Sequence, residues 1–197
     1  MVGRLRSNPF IADQQGSALM EFGLIATVFI TMVLGMMDIG QAAYTQAVLN
    51  GAAQDVARAS SLETRDVALS DAELEKIVQR VAPNAKLTPK RVSYFDFEDI
   101  NRSEKFRDTD GDGICNNDEN YDDENGNGQW DADIGVEGNG NASDVVVYTV
   151  TAEYKPLFAI PFYDNRDSKR TLSATFVKKN QPFERQEGYG STVAVCN

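Results

Sequence analysis

From Ser17 to Met37 the chain runs through twenty-one residues with a single charge, Glu21. As one helix, at about 1.5 Å per residue, this segment spans roughly 30 Å, the thickness of a bilayer's hydrocarbon core. Its uncharged part, Phe22 to Met37, is sixteen residues, so the span borrows length from Ala18, Leu19 and Met20, and Asp38 ends it. A secretory signal peptide has a shorter apolar core and a small-residue cleavage site behind it. Here Asp38-Ile39-Gly40-Gln41 follows, which lacks that pattern. A buried core helix carries a polar face, whereas this stretch is relieved only by Gly and Thr. A membrane anchor is the reading that fits best. Arg4 and Arg6 precede it, and no basic residue follows before Arg58. The positive-inside rule therefore places the N-terminus in the cytoplasm and the C-terminal part periplasmic or extracellular.

The helical pattern continues past the anchor. Gln41 to Leu62 is rich in alanine, with Ala43, Val48, Ala52, Val56 and Ala57 as the expected packed side. Ahead of the anchor stands Gln15-Gly16-Ser17-Ala18-Leu19-Met20-Glu21-Phe22. A carboxylate one turn inside an apolar span costs a few kcal/mol unless it is paired or reaches the interface. Snorkelling to the headgroups is one solution, with Gly16 a helix-start glycine.

This junction resembles the processing site that prepilin peptidases recognise in pseudopilins. In that pattern cleavage follows the glycine, a glutamate is fifth in the mature chain, and an aromatic residue often comes next. Gly16, Ser17, Glu21 and Phe22 fill those places. Gly23-Leu24-Ile25-Ala26, Gly35-Met36-Met37-Asp38-Ile39-Gly40 and Ala53-Gln54-Asp55-Val56-Ala57-Arg58 are similar to the TadE-like family. Type II secretion pseudopilins and type IV pilins usually carry Phe or Met after the cleavage point, so Ser17 suits the tight-adherence class better. The resemblance covers about residues 15–60 and returns weakly in the strands near Asp144–Thr151 and Thr171–Thr175. It implies a minor pseudopilin in the assembly or initiation of a tight-adherence (Flp-type) pilus. Its partners would be other pilins and pseudopilins, the assembly machinery, a prepilin peptidase and the lipid bilayer. In related pilins the glutamate is thought to meet the amino terminus of a neighbouring subunit.

Charge is as uneven as hydropathy. Between Asp108 and Asp144 there are twelve acidic residues and no Lys or Arg, a local charge of −12. The whole chain carries −11, which leaves about +1 elsewhere. A dense anionic insertion excludes nucleic acid as the partner and suits cations. Histidine is absent, which removes His-based nucleophile systems and zinc sites. No enzyme is expected. Cys115 and Cys196 are too few for a four-thiolate site; in an oxidising compartment they could form one disulfide, a pairing that sequence alone does not establish.

Within the insertion, Asp108, Asp110, Asp112 and Asn116 supply side-chain oxygens at positions 1, 3, 5 and 9 of a twelve-residue calcium loop. Gly113 permits the sharp turn, Ile114 offers its carbonyl, and Glu119 closes the site. Asp123, Asn125, Asn127, Gln129 and Asp131 repeat the pattern, with Gly128 at the turn. The twelfth residue of this second loop is Ile134, and Asp133 or Glu137 are the candidate substitutes for the missing carboxylate. The bland alternative is a solvated acidic insertion without fixed structure. A structural Ca2+ is the expected cofactor.

In the remainder, Ser70-Asp71-Ala72-Glu73 predicts a capped amphipathic helix to about Val81. Strands are expected over Arg91–Phe97, Asp144–Tyr154 and Lys169–Lys178. The apolar connection Tyr154–Phe162 is expected to cover the end of the sheet rather than to meet another subunit. The fold class is α+β: a long transmembrane-plus-projecting helix packed on a small antiparallel sheet, pilin-like, with an acidic calcium-loop insertion. The organisation reads as leader 1–16, transmembrane helix 17–39, projecting helix 40–62 and an extracytoplasmic head 63–197 carrying the insertion 108–144. The competing function is a membrane-anchored, calcium-dependent binding or adhesion module.

Overall fold

The computed structural model describes residues 15–60, 66–158, 169–182, 186 and 190–196. The leader up to residue 14, the end of the projecting helix at residues 61–62, and the half of the apolar connection from residue 159 on lie outside the described residues. One uninterrupted helix, α1 (Gln15–Ala59), opens the described chain. Its first half exposes Leu19, Phe22, Leu24, Val28, Phe29 and Met36, each by more than half. This helix is long and apolar enough to cross a membrane.

Burial begins where the apolar segment ends. Asp38, Thr45, Leu49, Ala52, Ala53, Val56, Ala57 and Ser60 are buried, at the three-to-four-residue spacing of one helical stripe. Ala43 is exposed and Val48 only half-buried, so Thr45 and Leu49 take the places expected of them. Thr45 is tolerated there because its hydroxyl donates to the Gln41 carbonyl. The three alanines let the sheet approach the helix closely.

Helix α2 (Val67–Gln79) packs beside α1 through Leu74 and Val78. It starts three residues before the expected Ser70. Asp66 is the N-cap, its carboxylate accepting from the Ala68 and Leu69 amides at 2.9 and 3.3 Å, and an Asp cap satisfies donors that the helix itself leaves open. Ser70 lies inside the helix, its hydroxyl turned back to the Asp66 carbonyl.

The main sheet comprises β1 (Lys86–Tyr94), β3 (Val136–Glu137), β4 (Val145–Tyr154) and β5 (Arg170–Lys179) in the order β3-β1-β4-β5, all antiparallel. Tyr148, Val150, Ala152 and Tyr154 alternate onto the helix face of β4, with Ala174 beside them on β5. Strand β1 begins five residues before the expected Arg91. Pro89 is accommodated because β3 pairs β1 only at Val92 and Ser93, leaving the other edge open at the proline. The strand stops at Tyr94, since Asp96 and Asp99 cap each other's backbone in a 3-10 turn over Phe97–Asp99.

Arg91 crosses from the sheet to α2, bound to Asp71 at 2.6 Å and lying 4.4 Å from the centre of the Tyr148 ring. At the other end of the sheet Arg170 pairs with buried Asp38 at 2.7 Å. The Gln41 side chain accepts from the Leu157 amide and donates to the Val81 carbonyl. These contacts fix the head to the turn of α1 directly after the apolar segment. Tyr154 is buried, but Leu157 is 54% exposed, so this part of the connection does not close over the core.

Lys178 lies at the far end of α1, donating to Ser60 Oγ and Asn139 Oδ1 at 2.9 and 3.0 Å. Burial, with Arg91 nearby, pushes its ammonium down to about 8. Its folded pKa is below its unfolded one, so charging this lysine opposes folding. The penalty is full below about pH 8 and is relieved as pH rises toward the unfolded value near 10.5. Lys178→Met is therefore expected to remove this rise. Stability measured from pH 7 to 10.5 should climb more steeply in wild type than in the variant; parallel curves would show that Lys178 does not titrate in this window.

Candidate functional site

Residues 95–144 form an excursion between the paired strands β1 and β4, and it is anchored to the tip of α1, where Asn139 donates to the Ser60 carbonyl. It contains both acidic loops. A second sheet, β2 (Asn120–Asp123) with β6 (Thr192–Val195), lies between them in the chain and joins them to the C-terminal segment. Cys115 and Cys196 are disulfide-bonded with Cα atoms 5.6 Å apart. The bond is flanked by Cys196 N–H to the Glu119 carbonyl and Asp118 N–H to the Cys196 carbonyl.

In the first loop the carboxylates of Asp108, Asp110 and Asp112 bring ligand atoms within 4.8 Å of one another. Asp108 accepts from the Gly111 and Gly113 amides at 2.6 and 3.0 Å. Asp110 accepts from the Asp112 amide, and Asp112 from that of Ile114. Asn116 donates its amide to Asp112 at 2.8 Å, and this contact, with the Ile114 amide, holds the Asp112 carboxyl below its usual range. Glu119 is buried, accepting from the Thr109 and Asn116 backbone amides. Asn116 Oδ1 is buried without a hydrogen-bond partner among the described residues.

The second loop repeats the amide-to-side-chain pattern of the first at loop positions 1, 3 and 5. Asp123 accepts from the Gly126 and Gly128 amides at 2.7 and 2.9 Å, Asn125 from Asn127, and Asn127 from Gln129. Asn127 donates to Asp131 at 2.6 Å, as Asn116 donates to Asp112 across the first loop. Gly113 and Gly128 both have φ of +77°, a conformation that glycine adopts without steric cost. Ile134, the twelfth residue, is buried as core at 1% exposure.

The carboxylate missing from that position comes from upstream. Glu104, also 1% exposed, accepts from the Glu124 amide at 2.7 Å, more weakly from Asn125, and from Asp131 at 3.1 Å. Those are loop positions 2 and 9, the positions whose amides bind Glu119 in the first loop. The residues expected to substitute do not do so. Asp133 accepts from the Tyr94 hydroxyl and the Gly135 amide, and Glu137 lies in β3 opposite Val92. Glu104 carries no motif of its own; only its place on the strand-like segment beside β2 reveals its role. That segment is held by Asp122 N–H to the Lys105 carbonyl, the Trp130 indole to the Glu104 carbonyl, and Phe106 edge-on to Trp130 at 5.4 Å. Arg102 pairs with Glu124 at 2.6 Å and holds that carboxyl below its ordinary range. All donors in both loops are oxygens, the set suited to a hard divalent cation.

The other predicted residues sit at the start of α1. Gly16, Ser17, Glu21 and Phe22 are helical and exposed. Ser17 and Glu21 are four residues apart, so they lie on one helix face. They are remote in sequence and structure from the loops and make one site only with each other.

No curated protein and no solved structure matches the chain. Residues 16–58 match the family model described as TadE-like protein. This stretch covers α1 from the glycine of the junction to the last basic residue of the helix, and over it the chain is similar to the TadE-like family.

Proposed function

We propose that this chain is a minor pseudopilin of a tight-adherence pilus, cleaved by a prepilin peptidase between Gly16 and Ser17. The observation that carries the reading is the family match beginning at Gly16, with Glu21 one helical turn beyond Ser17. After cleavage, the Ser17 amino group and the Glu21 carboxylate would stand on one face of the apolar helix. Each would then be available to the opposite charge on a neighbouring subunit. The helix anchors the protein in the inner membrane with the head on the periplasmic or extracellular side. The chain is the peptidase's substrate, catalyses nothing itself, and works through contacts with other pilins and the assembly machinery.

N-terminal sequencing of protein extracted from membranes tests this directly. A mature chain starting at Ser17, lost in a Gly16→Val variant, is the expected result. A chain that retains residues 1–16 in cells carrying the peptidase would overturn the processing step.

A second reading concerns the head. The duplicated loop geometry, with Glu104 and Glu119 in equivalent places, supports two structural Ca2+ sites. Asp108, Asp110, Asp112, the Ile114 carbonyl, Asn116 and Glu119 would hold one. Asp123, Asn125, Asn127, the Gln129 carbonyl, Asp131 and Glu104 would hold the other. Extracellular calcium modules bind in the range of about 10⁻⁴–10⁻³ M, a concentration available outside the cell. The ions would neutralise part of the −12 charge and rigidify the insertion.

A further inference from the structure

Each acidic loop clamps its closing glutamate through the residue at loop position 8, and the two clamps differ in chemistry. In the second loop this residue is Trp130, which donates its indole N–H directly to the Glu104 carbonyl at 3.1 Å. In the first it is Cys115, joined to Cys196, whose backbone amide donates to the Glu119 carbonyl at 2.8 Å. Asp118 N–H, at position 11, donates in turn to the Cys196 carbonyl at 3.2 Å. Both glutamates present their carboxylates to the amides at positions 2 and 9. The two clamps line one cavity of about 240 Å³, to which Cys115, Cys196, Gln129 and Trp130 all contribute. Cys115 also stands between two of its loop's oxygen donors, the Ile114 carbonyl and Asn116. The buried Asn116 Oδ1 has no hydrogen-bond partner among the described residues, and a buried oxygen without a donor is one that a cation can satisfy.

We infer that the Cys115–Cys196 bond is a redox gate on the first loop's cation site, which takes calcium tightly only when the bond is formed. This rests on the calcium reading of the loops. With the bond intact, Glu119 and Asn116 are in place before the ion arrives, and a pre-ordered site loses little binding energy to ordering. With the bond broken, β6 keeps a four-residue pairing with β2 and mostly exposed side chains, which makes it an element of low opening free energy. When β6 opens, the Glu119 carbonyl loses its donor, and the ion must order positions 8 to 12 itself. The second loop's clamp contains no sulfur, so reduction leaves it whole. The bond forms by exchange with the disulfide of another protein or of a small molecule. The donor's S–S bond breaks, the Cys115–Cys196 bond forms, and two electrons and two protons pass to the donor as two thiols. Such bonds persist in oxidising surroundings, so the first site matures only outside the cytoplasm, whereas the second needs calcium alone.

Calorimetric titration of the full-length protein in detergent with calcium, before and after reduction by dithiothreitol, tests this. Oxidised wild type should bind at two sites. Reduction should weaken one of them about tenfold and change the other less than about twofold, a coupling of ordinary size. Asp123→Ala isolates the first loop, where reduction or the further change Cys196→Ser should give the tenfold loss. Asp108→Ala isolates the second, where neither should. Coupling is reciprocal, so saturating calcium should shift the dithiol-to-disulfide ratio at half-reduction of wild type by the same factor. Equal affinities before and after reduction, or an equal fall at both sites of wild type, would overturn the gate and leave the calcium reading standing. Oxidised wild type that binds no calcium at millimolar concentration would overturn the calcium reading, and the gate with it.

Discussion

Glu104→Ala should destabilise the head by about 3–4 kcal/mol, a large fraction of a typical domain's stability. Glu104 is buried and its carboxylate accepts from three backbone amides, those of Glu124, Asn125 and Asp131. Hydrogen bonds to a charged acceptor contribute about 1.5–3 kcal/mol, and a buried donor left without a partner incurs its desolvation penalty. The Asn125 contact is long at 3.4 Å and adds little, so two good bonds set the expected size. Melting of the full chain in detergent, with calcium removed by chelator, would read this as a loss of roughly 10 °C or more. The same residue separates the calcium reading from a purely structural one. At ten times the dissociation constant each site adds about 1.4 kcal/mol of stability. Glu104→Gln keeps the shape and one acceptor, so it should retain much of the metal-free stability while losing the second loop's calcium increment. Asp108→Ala should remove the increment of the first loop only. If Glu104→Ala melts with wild type, the closing role is wrong. If calcium shifts no variant and not wild type, the cation reading falls while the structural role of Glu104 survives.

Glu104 also marks the limit of what the sequence makes legible. The loop residues are readable because alternating oxygen side chains with glycine at the turn form a local pattern, and the structure curls both stretches alike. The twelfth residue of the second loop is likewise readable as absent. What replaces it is not, since Glu104 lies nineteen residues before the loop begins and reaches it only through the folding of segment 102–107 against β2. Sequence proximity offers only Asp133 and Glu137, which the tertiary structure employs elsewhere. The helix tells a similar story at a different scale. Its apolar half is legible from hydropathy alone, and so is the existence of a packed half beyond Asp38. The register of that half is not, because alanine is common on every face of Gln41–Ala59 and gives the periodicity little contrast. Thr45 reaches the core because its hydroxyl bonds to the preceding turn, a contact that hydropathy does not reveal. The start of strand β1 at Lys86 is hard to read in sequence because Pro89 suppresses the strand signal, although the open edge at that point removes the conflict. Strand β6 left no signal that could be separated from the tail, being four residues long with mostly exposed side chains.

That short strand makes Cys115→Ser the second large effect, an expected loss of about 2–4 kcal/mol. The Cys115–Cys196 bond spans a sequence separation of 81 residues, and closing so long a loop removes much of the freedom of the unfolded chain. Among the described residues, β6 is otherwise held mainly by its pairing with β2 and by the two backbone bonds at Cys196. Its partner β2 pairs with it over four residues, and Thr192, Val193 and Val195 are exposed. Loss of the bond should therefore act in two stages. The C-terminal segment opens locally first, since elements with few buried contacts have low opening free energies, and the first loop, tied at Cys115, loosens with it. Limited proteolysis of the variant should cut near residues 190–196 well before the main sheet is degraded, and wild type treated with reductant should give the same pattern. Because Cys196 is 5% exposed, gentle reduction would be slower than the opening of β6 itself. The measurement also bears on compartment. Such bonds persist in oxidising surroundings and are rare in the cytosol, so protein recovered from cells under thiol-trapping conditions should carry no alkylatable cysteine if the head is outside. Two trapped thiols, with unchanged stability in Cys115→Ser, would mean that the native chain does not form the bond and would remove one support for the outward placement of the head.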